Sequence, residues 1–303
     1  MNPMLRKMKY GILFKTLLLG LAVGCSACRQ PDGEPTGERR IRFELTLDAR
    51  TRAPQALDTE QYAARLYLFR EETADRYVAA GTMEITGEAL TVGGLDPGVS
   101  YRFVFLAIPR SQQPALPMLA DGTAYTEAAM TYLAGNQPGQ EVFRAIQTFT
   151  AADDPATRSV VLTRQNGAIQ IRLGNADGSV RNARLEVEAL PEMLLQDGTG
   201  GQVLSQGAAV ALAKSEQPAV TSDYRIAVNL LPAEDITGQG ALVLTLADGT
   251  EQRYTLRSTS GTIPIYPNQI TWLVLRGTGE GGSFEVGFGG DINLDDDAWD
   301  GYL

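Results

Sequence analysis

The chain has 303 residues, carries 36 acidic against 26 basic side chains for a net charge of −10, and contains no histidine. The missing histidine excludes the Ser-His-Asp triad and the usual zinc ligands, and the acidic excess opposes phosphate backbones and anionic lipid surfaces. Both cysteines, Cys25 and Cys28, lie near the N-terminus, so the remainder has no disulfide framework, thiolate nucleophile or cysteine metal site, and carboxylate-only catalysis is the enzymatic route left open.

In chain order, residues 1–24 read as a bacterial signal peptide. Arg6, Lys7, Lys9 and Lys15 form a basic segment, and Thr16–Val23 is an apolar run too short to span a bilayer as a helix. Leu21-Ala22-Val23-Gly24-Cys25 fits a lipobox, with cleavage at the Gly24–Cys25 junction. Cys25 is then expected to become the N-palmitoyl, S-diacylglycerol cysteine, and several acyl chains suffice for stable anchoring. Cys28 is the rival acceptor, and a plain secretory signal with incidental cysteines is the bland alternative. Residues 25–39, polar and rich in Pro and Gly, read as a flexible tether.

From residue 40 the dominant period is two. Ile41, Phe43, Leu45 and Leu47 alternate with Arg40, Arg42, Glu44 and Thr46, as in a strand with one buried face. Similar runs recur at 65–69, 77–85, 101–108, 142–149, 160–164, 168–173, 183–190, 224–231, 241–246, 252–256, 270–275 and 284–288. Turn signals separate many of them: Asp96-Pro97-Gly98, Asp177-Gly178, Asp197-Gly198 and Asp248-Gly249, the last a hairpin signature. Residues 124–133 look helical, and residues 206–214 permit either a helix or a strand. Many short strands with few helices predict an all-β protein of two tandem β-sandwiches. The Asp153-Asp154-Pro155 break suggests domains at 40–155 and 156–303, with Arg158 an accessible point for limited proteolysis.

Few residues suggest chemistry. The ending Asp291–Asp297 places oxygen side chains at alternate positions, but Asp296 stands where an EF-hand loop needs Gly and Tyr302 where it needs Glu, so no metal site is assigned. It reads instead as an acidic tail or a pairing element. Asp153-Asp154 would be solvated neighbours on a link, not a catalytic pair, and no catalytic residue or cofactor is expected. Arg50 and Arg52, just after the first strand, are either a surface turn or sites for an arginine-specific protease. Trp299 and Tyr302 suit either a packed cap or display to a partner.

The lipobox, Arg40-Ile41-Arg42-Phe43, Arg65-Leu66-Tyr67-Leu68-Phe69 and the segment Gly94–Phe105 together resemble the fimbrillin-type anchor and accessory lipoproteins of Bacteroidales type V pili. Val160-Val161-Leu162-Thr163-Arg164 with Ala168-Ile169-Gln170-Ile171, Pro267-Asn268-Gln269 and the ending Asn293–Tyr302 extend the likeness along nearly the whole chain. The resemblance implies two transthyretin-like β-sandwiches with Greek-key connections and an outer-membrane, surface-exposed lipoprotein. It also implies non-enzymatic partners: other fimbrial subunits, joined by donor-strand pairing in cell adhesion. Polymerising subunits of such pili lose an N-terminal strand to an arginine-specific protease, whereas an anchor keeps it. The alternative is a surface lipoprotein whose sandwich loops hold a glycan, for which an exposed aromatic platform would be the sign.

Overall fold

The computed structural model describes residues 40–48, 54–111, 116–132, 141–151, 156–174, 180–189, 192–198, 211–218, 223–259, 261–276 and 283–288. The signal peptide and tether with Gly24, Cys25 and Cys28 lie outside the described residues. So do Arg50, Arg52, Asp153-Asp154, Asp177-Gly178 and the acidic ending.

The first half runs through β1 (Ile41–Asp48), β2 (Gln55–Ala56), β3 (Tyr62–Thr73), β4 (Arg76–Ile85), β5 (Ala89–Val92), β6 (Ser100–Pro109), β7 (Ala129–Thr131), β8 (Phe143–Thr150) and β9 (Ala156–Arg164). The second half comprises β10 (Gly167–Gly174), β11 (Val180–Ala189), β12 (Glu192–Leu194), β13 (Ala211–Pro218), β14 (Asp223–Leu230), β15 (Gly240–Leu246), β16 (Glu251–Thr255), β17 (Ile270–Arg276) and β18 (Ser283–Phe288). The protein is all-β, as the period-two pattern predicts.

The expected helix at 124–133 is absent: Tyr125–Glu127 is one 3-10 turn, and Ala129–Thr131 is strand β7. Tyr125 and Met130 are buried from this segment, so tertiary packing overrides its helical composition. Of the ambiguous 206–214 stretch, the described part belongs to β13. The Asp248-Gly249 hairpin forms as expected. Gly249 adopts a φ of 85°, and the Asp248 carboxylate accepts from the Thr250 amide at 2.9 Å.

The two halves share one strand plan. In the first, β4-β3-β6-β8 make one run of the sheet and β5-β1-β9 another, with β9 meeting β8 at one end. In the second, β13-β11-β15-β16 face β14-β10-β17-β18. Each half opens with a strand, β1 or β10, that is antiparallel to one neighbour and parallel to a later strand, β9 or β17. This repeat is structural; the sequence shows no exact internal repeat.

The sheets change over after Arg164, beyond the expected boundary at residues 155/156. β9 runs parallel to β1 from Ile41↔Ala156 to Asp48↔Thr163, and its Val160 and Leu162 enter the first core. Arg158 therefore sits inside a strand and not on a link, its guanidinium 4.6 Å over the Phe149 ring. The apolar runs of β3 and β6 are continuous because both faces are covered. Leu66, Leu68, Phe103 and Phe105 point into the first core, while Tyr67, Phe69, Val104 and Leu106 point the other way. That second face is roofed by the 116–132 segment and by Met193, Leu195 and Leu231 from the second half.

Candidate functional site

The feature with the clearest functional potential is β1 in its seat. Alternation places Ile41, Phe43, Leu45 and Leu47 inward, all buried, with Arg42 and Glu44 exposed outside. Phe43 ends in an aromatic nest, its ring centroid 5.1 Å from Phe103, 5.0 Å from Phe105 and 6.4 Å from Phe149. Phe103 and Phe149 stack behind it at 4.6 Å. Tilted and edge-on rings at these separations add attraction beyond simple burial.

The backbone of β1 is paired along both edges. On one side β9 runs parallel to it over its whole length. On the other, β5 pairs with Ile41–Glu44, the Leu45 amide donates to the Glu88 carbonyl at 2.9 Å, and β2 pairs with Thr46 and Leu47. β1 is thus an interior strand whose removal would strip four apolar side chains from a core and leave unpaired backbone on both flanks. The expected protease residues Arg50 and Arg52 fall in the 49–53 connection between β1 and β2, outside the described residues.

Sequence reasoning missed the buried polar residues of the first half, some of which tie it to the second. Arg144 of β8 donates to the Leu195 and Gln196 carbonyls, both at 3.1 Å, and burial lowers its pKa. The Tyr125 hydroxyl donates to the Gln196 carbonyl at 3.1 Å, and β7 pairs with β12. Arg164, almost wholly buried, forms an ion pair with Glu141 at 2.9 Å. Tyr67 and Tyr132 are held neutral well above the ordinary tyrosine range, chiefly because burial penalises the phenolate. Composition offers no signal for this set, since isolated Arg and Tyr residues are ordinary surface residues until the fold encloses them. Asn268, singled out in Pro267-Asn268-Gln269, adopts a φ of 53° and donates its amide to the Asn166 carbonyl at 2.9 Å, locking the entry of β17 beside β10. Among the described residues no group of three Asp, Glu, His or Cys side chains is placed to hold a metal, and no helix is long and apolar enough to cross a membrane.

No protein-family model matches the sequence, and no curated protein matches it. Solved structures do match the fold. A candidate polysaccharide-binding protein of Bacteroides thetaiotaomicron aligns with a TM-score of 0.53 at 13% identity, over 78% of this chain and 91% of its own. The fimbrial anchor protein Mfa2 of Porphyromonas gingivalis aligns with a TM-score of 0.52 at 13% identity, over 84% and 98%. A candidate adhesin of Bacteroides ovatus gives a TM-score of 0.52 at 12% identity, over 84% and 94%. The chain therefore has the β-sandwich fold found in Bacteroidales fimbrial proteins.

Proposed function

We propose that this chain is a non-enzymatic fimbrial subunit, an anchor or accessory protein that joins other subunits through β-strand exchange at the seat of β1. The observation that carries the reading is β1 itself. It is a self-contained amphipathic strand whose four apolar side chains complete a core, and arginines occupy the connection that follows it. A strand exchanged at such a seat satisfies a row of backbone groups and fills side-chain pockets, so affinity arises without catalytic residues. The division into two sandwiches, the lipid on Cys25 and attachment to the outer membrane belong to the same reading. They are supported by the repeated strand plan and by the lipobox sequence. The glycan alternative finds little material: among the described residues Tyr266 is the exposed large aromatic side chain, the other exposed large apolar residues being Met118 and Val161.

A chain beginning at Ala53 tests the seat. It should oligomerise or aggregate through the vacated groove, and a peptide of Arg40–Leu47 should suppress that association. A monomeric truncated chain of unchanged stability would remove the basis for exchange at β1. The anchor component is tested separately by Cys25→Ser, which should abolish fatty-acid labelling and release the protein from membranes; continued labelling would move the acceptor to Cys28.

A further inference from the structure

The repeated strand plan allows each half to be checked against the other, and they differ at one edge. β9 and β17 are equivalent: each runs parallel to its half's opening strand. The other edge of β17 is covered by β18, antiparallel from Thr271↔Phe288 to Arg276↔Ser283, with Val286 packed against the second core. The corresponding edge of β9 meets β8 only at Phe143↔Arg164 and Arg144↔Thr163. From Leu162 back to Ala156 no strand among the described residues pairs with it.

Among the described residues, the surroundings of that edge are incompletely covered. Ala145 and Phe149 on β8, which pack on the first core beside the gap, are only partly buried. Arg158 covers Phe149, and its Nε is buried with no hydrogen-bond acceptor among the described residues. Val161, alternating with the buried Val160 and Leu162, is 41% exposed on the opposite face of β9. An unpaired strand edge with a partly apolar floor is a template for another strand, whose backbone would pair with that of β9.

We propose that the edge of β9 over Thr157–Leu162 is a second strand-acceptor site, distinct from the seat of β1, and that its occupant is an extended segment of another subunit lying antiparallel to β9. The chemistry of the occupant is set by β18, Ser-Phe-Glu-Val-Gly-Phe: six residues, no proline, apolar side chains at alternate positions. The proposal rests on the fimbrial reading only for the kind of partner. It gives a chain that retains β1 a place to receive a strand while its first core stays complete.

The test is a peptide of residues 281–290, added to the full chain and followed by binding anisotropy and hydrogen-exchange mass spectrometry. Saturable binding with about tenfold slower exchange confined to Thr157–Leu162 is expected. The same peptide with Val286→Asp should not bind. Absence of binding overturns the proposal. Protection at Ile270–Arg276 also overturns it, because the peptide would then be replacing the chain's own β18. Altered exchange at Ile41–Asp48 overturns it as well, while favouring exchange at β1, so the two readings fail separately.

Discussion

At the scale of single residues, Phe43 concentrates more of the first core than any other side chain of β1. It is fully buried and touches three rings on β6 and β8, so Phe43→Ala leaves a cavity that strands on both sides restrain from collapsing. The expected cost is about 3–5 kcal/mol, read from urea unfolding, against less than about 1 kcal/mol for Glu44→Ala on the exposed face. Two carboxylates set an acid limit on the second half. Glu186 is held below its ordinary range by hydrogen bonds from Arg253 and then Arg184, and Asp235 by the Ile263 amide and then Thr237. Both folded-state values are depressed, so the unfolded chain binds more protons in the window just below the ordinary carboxylate values, 4.5 for Glu and 3.8 for Asp. Their stabilisation is complete above that window and is lost as pH falls through the lowered folded values. Thermal melts below pH 4.5 should show this loss, and it should shrink in the double variant Glu186→Gln, Asp235→Asn.

At the scale of elements, β1 combines a strictly alternating, amphipathic sequence with an interior strand's hydrogen bonding. Burying four such side chains contributes roughly 1.5–3 kcal/mol each before the cost of ordering the chain. A backbone nick in the 49–53 connection should therefore leave β1 in place. After cleavage there by an arginine-specific protease, the β1 fragment should co-elute with the rest of the chain in native buffer and separate only in denaturant. Immediate release on cleavage would mean that the seat binds its own strand weakly, and spontaneous exchange would then be expected. β3 and β6 illustrate a different element-level effect: with cores on both faces their apolar residues run consecutively, and the simple in-out alternation seen in β1 is lost.

At the scale of the molecule, the junction between the halves is a packed interface, not a free link. Met193, Leu195 and Leu231 share a cluster with Tyr67, Phe69 and Tyr132 of the first half, and Arg144 and Tyr125 hydrogen-bond across it. The halves should consequently unfold together. Arg144→Ala leaves the Leu195 and Gln196 carbonyls without that donor at a cost of about 1–3 kcal/mol. Calorimetry should show one transition in the native chain resolving into two in the variant; a single unshifted transition would mean that the apolar cluster alone couples the halves.

The all-β class and nearly every long strand were legible in the sequence, because period-two alternation is local and follows directly from the pleat. The inward set of β1 and the Asp248-Gly249 hairpin were legible for the same reason. Very short strands such as β2, β7 and β12 were not, since two or three residues carry no period and pair only where a distant partner is brought alongside. The sheet changeover after Arg164 also escaped, because Asp153-Asp154-Pro155 is a turn signal and a turn does not say which sheet the next strand joins. That was decided by the parallel pairing of β9 with β1 across more than 100 residues. The repeated strand plan, the tie through Arg144 and the partial pairing of β9 among the described residues are likewise relations between segments far apart in sequence, and only the folded chain brings their parts together.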